Sequence, residues 1–300
     1  MTEALPISVV IPCHNGEPFL ERTLDSVLAQ TLPAREIIVV DDGSTDGTAA
    51  IGRTYAERYP GLVHYVFQKN AGVSESRNAG MRRATCEWVA FLDADDWFMP
   101  EKLARQAALI AADPELDLVY TRLTMCPEDA APFVSDTLPP ERLWPSMRTG
   151  NSIAPSSVLM RRKLALEAGG FDRRLQGSAD WEFFGRLIVQ RHIRIAMVDE
   201  PVTYYRVSTS SMSRHVDGML QDDLRSVPTL VSDLSGLSAW CWRHRILAAV
   251  YYRAAMNARE AKDPRELHFM GKSALTWPSP FFLLKRFPAL FVSLRRAIAS

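Results

Sequence analysis

The chain has 300 residues, enough for one large core or two smaller ones, and its 47% hydrophobic and 23% charged composition excludes wholesale disorder. Lys plus Arg equals Asp plus Glu at 35 each, which excludes a general nucleic-acid binder with its basic excess. Cys13, Cys86, Cys126 and Cys241 are widely spaced, without C-x-x-C or a His-Cys cluster, so neither a zinc site nor a disulfide framework is expected, and a reduced cytosolic compartment fits. The start, M-T-E-A-L-P, lacks the basic and apolar segments of a signal peptide, and no apolar run approaches the roughly 20 residues that span a bilayer.

In chain order, the β-branched run Ile7 to Ile11, ended by Pro12, predicts a buried strand. His14, Asn15 and Gly16 turn into a helix over Pro18 to Gln30, where Leu20, Leu24, Val27 and Leu28 recur at helical spacing. Glu36 to Val40 gives a second strand, so strand, helix, strand reads as the βαβ unit of a parallel sheet. That strand runs into D-D-G-S-T-D-G-T, Asp41 to Thr48, in which Ser44, Thr45 and Asp46 can cap the next helix. Capping does not explain Asp41 and Asp42. Two adjacent carboxylates need donors, and a nucleobase imide or ribose hydroxyls would supply them.

A third strand, Leu62 to Phe67, precedes N-A-G-V-S-E-S-R-N-A-G, Asn70 to Gly80, with a helix from Ser74 to Met81. Arg77 on that helix can pair with a base, a diphosphate or a nearby aspartate, or tie helix to sheet. Trp88 to Leu92 reads as a buried strand that stops at F-L-D-A-D-D-W, with the acids Asp93, Asp95 and Asp96. Ligands bind at the C-terminal ends of strands in open α/β sheets, and one or two carboxylates plus substrate phosphates commonly hold a hard divalent cation. A solvated acidic turn is the plain alternative. A helix over Pro100 to Ala112 and a strand over Leu116 to Tyr120 follow.

I-S-V-V-I-P-C-H-N, V-V-D-D-G-S-T-D-G-T, N-A-G-V-S-E-S-R-N-A-G and F-L-D-A-D-D-W, in that order, resemble the motifs of family 2 glycosyltransferases over roughly residues 5 to 210. The resemblance implies an α/β GT-A fold, a Rossmann-like open, mostly parallel sheet flanked by helices. It implies an inverting transferase that uses a nucleotide-diphosphate sugar and Mg²⁺ or Mn²⁺, acting on a glycan or lipid-linked glycan hydroxyl in cell-surface polysaccharide or glycolipid assembly. By that similarity Pro12 lines the nucleotide pocket through its backbone, Asp42 contacts the base and Arg77 meets the nucleotide, while Asp41 stays a nucleotide-binding candidate on its adjacent carboxylate. Asp93 serves the ribose or metal shell, and Asp95 the metal.

Between Met125 and Met147, five prolines predict a long, mobile acceptor-side loop. Asn151 to Met160 then reads as a strand and Arg161 to Ala168 as a short helix. In F-D-R-R-L-Q-G-S-A-D-W-E-F-F, the family motif is Glu-Asp, an aromatic and an acid. Asp180 takes the place of its general base, Trp181 and Glu182 match, and Ala179 departs from the Glu. A helix N-terminal charge is the alternative for Asp180. After a strand at Ile193 to Val198, Tyr205 and Arg206 match the family's Tyr-Arg, while Ser208 stands where a His is frequent. The Ser-rich run beyond is read as a loop closing over the diphosphate, with Arg206 or Arg214 meeting its charge and His215 a weak metal candidate.

The expected domains are 1–215, catalytic, and 216–300, a helical extension. Residues 272–300 are aromatic and basic without an acid. They either lie at an anionic membrane surface, placing the protein at the inner face of the membrane, or pack onto the catalytic domain or a second subunit in a homodimer. Two rivals remain: a nucleotidyltransferase, which wants a Gly-rich basic loop that Ile11 to Phe19 lacks, and a non-catalytic nucleotide-sugar binding protein, kept open by Ala179 and Ser208.

Overall fold

The computed structural model describes residues 5–191, 193–208 and 215–277. The chain divides into two compact units, the first comprising 1–143, 152–173 and 191–208, the second 144–151, 174–190 and 209–300.

The first unit holds a mixed, mostly parallel sheet. Its strands are β1 (Ile7–Cys13), β2 (Glu36–Asp42), β3 (Val63–Gln68), β4 (Trp88–Phe91), β5 (Trp97–Phe98), β6 (Leu118–Pro127), β7 (Phe133–Val134), β8 (Leu159–Arg161) and β9 (Ile195–Val207). They lie in the order β3-β2-β1-β4-β8-β6-β9-β5, with β7 on β6. β1 pairs parallel with β2 on one side and β4 on the other, so strand order reverses there. In a doubly wound sheet this switch point opens a crevice at the strands' C-terminal ends. Every residue of β1 and β2 is buried, as strands covered on both faces require. Pro12 is tolerated for a geometric reason. Val10 accepts its bond from Leu92 on the β4 side, and Pro12, two residues on, faces that side past the last β1–β4 pair, so its missing N–H costs no ladder bond.

Helices α1 (Leu20–Leu28), α2 (Thr48–Arg58), α3 (Val73–Arg83) and α4 (Lys102–Ala112) fall where the periodicity puts them. α3 lies so close to β1 that a Cβ on Gly80 would stand 2.2 Å from Val10 Cγ1. The polar core of this layer is Glu36. It accepts from Ser8 Oγ at 2.6 Å and from Thr85 N and Oγ1 at 2.6 and 2.8 Å, tying β2 to β1 and to the turn before β4.

Three stretches depart from expectation. The Pro-rich stretch contains β7 and a helix, α5 (Pro140–Thr149), because Pro140 sits in the first turn, where a missing N–H is harmless, and Leu143 and Met147 are buried four residues apart. The strand expected over Asn151 to Met160 shrinks to β8, since Pro155 starts a 3₁₀ turn, Pro155–Ser157. β9 does not stop at Val198 but continues to Val207. A register shift between Thr121 and Leu123 of β6 absorbs the extra residues around Pro201. A short helix, α6 (Arg162–Glu167), matches its expectation.

The second unit contains α7 (Ala179–Gln190), α8 (Val216–Leu230), α9 (Gly236–Glu260) and α10 (Glu266–Thr276). Val216, Ala254, Ala255, Ala258, Phe269 and Met270 form a core of small and large apolar faces. Fully buried Arg148 pairs through its two Nη groups with Asp233, at 2.5 Å to Oδ2 and 3.1 Å to Oδ1, and with the carbonyl of Leu230, while its Nε has no partner. Among the described residues no helix is long and apolar enough to cross a membrane. The part of the tail beyond Trp277, and Arg214, lie outside the described residues.

Candidate active site

The C-terminal ends of β1, β2 and β4 bring the motif residues together in the first unit. After β2, Asp42 accepts from Gln68 Nε2 at 2.7 Å, Ala71 N at 2.9 Å and Gly72 N at 2.8 Å. Gly72 has φ +90°, a conformation glycine adopts freely, and so turns its N–H onto the carboxylate just before α3. Asp41 accepts from Ser44 N at 2.8 Å and Tyr65 Oη at 2.5 Å. The chain thus supplies the donors that the sequence reading sought in a nucleobase or ribose. Asp41 has no exposure and both oxygens engaged within the chain, where it ties the turn from β2 into α2 to the neighbouring β3. Asp42 is nearly buried as well and anchors the start of α3.

Asn15 and Ser44 clamp the turns after β1 and β2, with Asn15 N donating to Ser44 Oγ at 2.9 Å and Thr45 N to Asn15 Oδ1 at 2.9 Å. Asp46, not Ser44 or Thr45, takes the Thr48 N–H and hydroxyl at the start of α2. His14 is exposed at this rim, its Nδ1 2.9 Å from the Asp42 carbonyl and its ring within 3.3 Å of Asn70 Nδ2. A carbonyl accepts only, so Nδ1 is the donor in that contact. Burial and the Asp41 charge push the Cys13 thiol up to about 12, so it stays protonated beside the site. Pro12 is buried within β1.

After β4, the acids sit in a tight turn closed by Asp96 N donating to Asp93 O at 3.0 Å. Thr23 Oγ1 donates to the carbonyls of Ala94 and Asp96, each at 2.8 Å, and holds the turn from α1. Ser156 holds it from the other side, donating to Asp96 Oδ2 at 2.5 Å and accepting from Asp93 N at 3.1 Å. Nothing local in the sequence marks Ser156, which lies 60 residues from Asp96. Arg77 Nη2 meets Asp93 Oδ1 at 2.6 Å, with its guanidinium 5.3 Å from the Phe171 ring centroid. Of its sequence readings, pairing with an aspartate is the one observed. Arg206, on β9, donates its backbone N–H to Asp96 Oδ1 at 2.8 Å, and its Nη1 stands 3.4 Å from Asp95 Oδ2. The same guanidinium pairs with Glu128 and lies 4.1 Å from the Phe19 ring centroid. Arg206 therefore belongs to β9, and the Ser-rich run expected to close over the diphosphate, 209–214, lies outside the described residues.

Charge in this turn is under-compensated. Burial, then Asp93 and Asp95, push the Asp96 carboxyl well up, against the Ser156 and Arg206 bonds. Partial burial and the Asp93 charge likewise raise Asp95, with Arg206 opposing. Asp95 is the most open of the cluster, 40% exposed against 24% for Asp93. Such a site fits a hard divalent cation, with all-oxygen donors, surplus negative charge and an accessible carboxylate. Asp95, with Asp93, would supply the protein's share of such a site beside substrate phosphates, since among the described residues there is no cluster of three or more His, Cys, Asp or Glu that could hold a metal ion.

Asp180 lies in the second unit, in the first turn of α7. Its Oδ2 accepts from Asn151 Nδ2 at 2.7 Å and its Oδ1 takes the Trp181 N–H at 2.8 Å. Glu182 is buried and paired with Arg186 at 2.8 Å, and Ala179 is buried in the position where the motif carries Glu. His215 is exposed just before α8.

The chain is 35% identical over 138 residues to a putative teichuronic acid biosynthesis glycosyltransferase, TuaG, of Bacillus subtilis, a match spanning 46% of this chain and 54% of that protein. The crystal structure of S. aureus TarS 1-349 in complex with UDP-GlcNAc superposes with a TM-score of 0.66 at 20% identity, covering 91% of this chain and 81% of that one. The mannosyltransferase PcManGT from Pyrobaculum calidifontis, in complex with GDP-Man and Mn²⁺, superposes with a TM-score of 0.61 at 21% identity, covering 97% and 81%. These likenesses show the shared GT-A fold. The sequence profile described as Glycosyl transferase family 2 matches residues 8–165, more than half of the chain, which therefore belongs to that family.

Proposed function

We propose that the protein transfers a sugar, with inversion, from a nucleoside-diphosphate donor to a hydroxyl of a glycan or lipid-linked glycan, with Mg²⁺ or Mn²⁺ at the acid turn. The observation that carries this is the open Asp95 carboxylate, at the switch point of the sheet, between Arg77 and Arg206. A bound cation there neutralises charge growing on the leaving diphosphate. Arg206, the cation nearest Asp95, meets the diphosphate oxygens, and its planar fork suits them. Arg77 fixes Asp93, and the clamped turns around Asn15, Ser44 and Asp42 form a rigid wall for the nucleoside. Rigid placement matters because positioning supplies much of the barrier reduction.

Asp180 takes the proton of the acceptor hydroxyl. The Asn151 bond aims the carboxylate, a job the Glu at position 179 would share in the family motif. The acceptor class is supported by the likeness to TuaG, a putative teichuronic acid biosynthesis glycosyltransferase. Ala179 favours a second reading, a binding protein that retains the fold without turnover.

Purified protein, screened by thermal shift with nucleoside diphosphates and their sugars plus Mn²⁺, identifies the donor, since ligands raise apparent stability. Asp180→Asn is then expected to lower kcat by about 10² to 10⁴ while leaving donor affinity unchanged. Transfer at the parental rate would refute the base assignment, and donor binding without any metal-dependent turnover by the parent would favour the binding protein.

A further inference from the structure

The second unit carries a feature that sugar transfer does not use. On α9, Leu237, Trp240 and His244 share one face at helical spacing, and Leu237 is 75% and Trp240 54% exposed. α10 returns antiparallel along α9, pinned by Ser273 Oγ donating to Ala248 O at 2.6 Å, and so ends beside the start of α9. There the Trp277 ring lies 6.3 Å from that of Trp240, and Leu275 is 85% exposed. Large apolar side chains scattered singly over a surface need no explanation, but Leu237, Trp240 and Leu275, exposed at one end of a helical hairpin with the half-buried Trp277 beside Trp240, mark a contact surface.

The chemistry around them is one-sided. Neither Gly236 to Arg259 nor any residue after Glu266 is acidic. Arg243 and Lys272 are exposed at the same hairpin. The chain continues past Trp277 with Phe281, Phe282, Leu283, Leu284, Lys285 and Arg286, again apolar and basic. A second copy of this face is a poor occupant, because an isologous contact would bring together two copies of a basic face whose helices offer no acid there. Tryptophan beside cations suits an interface where one end is apolar and the other wet and negative.

We infer that the open end of the α9–α10 hairpin, built on Leu237, Trp240, Leu275 and Trp277 and flanked by Arg243 and Lys272, docks peripherally on an anionic phospholipid surface. The apolar residues enter the acyl boundary and the cations meet lipid phosphates. This holds whichever sugar the protein transfers.

Co-sedimentation of the full chain with phosphatidylcholine vesicles, with and without phosphatidylglycerol, tests it. The parent is expected to bind the anionic vesicles and to release at high salt. Trp240→Ser with Leu275→Ser should abolish most of that binding. Arg243→Gln with Lys272→Gln should weaken it about thirtyfold, the effect of removing two cations near an anionic surface. Both pairs are solvent-exposed, and unchanged circular dichroism shows that the variants fold. Equal binding to both vesicle types, or full binding by the Ser variant, overturns the assignment. So does a parental dimer that the Ser substitutions convert to monomer, since the face would then be a self-contact.

Discussion

Glu36 shows how single residues set this fold. Burial alone would raise its carboxyl, but the bonds from Ser8 and Thr85 outweigh that and hold it below the usual carboxylate range. A carboxyl with a depressed folded pKa contributes stability that is present above its unfolded value, about 4.3, and is lost as pH falls through the folded value. Glu36→Gln should therefore cost about 1–3 kcal/mol at pH 7, and the gap to the parent should close below roughly pH 4, read from denaturant melts. A gap that persists at low pH would place the effect in packing instead. Residue identity at the site was legible where a motif announced it, as for Asp93, Asp95 and Arg77. It was not legible for Ser156 or Glu128, which reach the acid turn only because β8 and β6 bring distant chain beside β4 and β9. The donors to Asp41, Ser44 N and Tyr65 Oη, were not legible either, because they come from a turn and a neighbouring strand that sequence adjacency does not display.

At the scale of elements, the close seat of α3 on β1 positions both Arg77 and the first turn that holds Asp42. Gly80→Ala drives a methyl into Val10 and is expected to cost about 1–3 kcal/mol through overpacking. Adding Val10→Ala should recover part of that loss, because the two changes share one contact, and an additive double mutant in urea melts would contradict the packing account. β1, β2, β3, α1 to α4 and α6 were readable because their apolar periods are strong and their breakers sit at their ends. α5 and the second half of β9 were not. Pro140 sits in a first helical turn and Pro201 at a ladder irregularity, where proline does little harm, but Pro145 lies inside α5 against its local preference, and only tertiary packing and pairing reveal these elements.

For the whole molecule, the four motifs converge at the sheet's switch point in the first unit, while Asp180 belongs to the second. The account rests most heavily on the acid turn as the place where cation and diphosphate meet. Isothermal titration of the cognate nucleoside diphosphate, with and without Mn²⁺, into the parent and Asp95→Asn tests that most directly. The expected result is parental binding that strengthens markedly with Mn²⁺ and a variant in which Mn²⁺ has lost that effect while the metal-free affinity is kept. Parental affinity indifferent to Mn²⁺, or a variant that responds to it as the parent does, would contradict the assignment of Asp95.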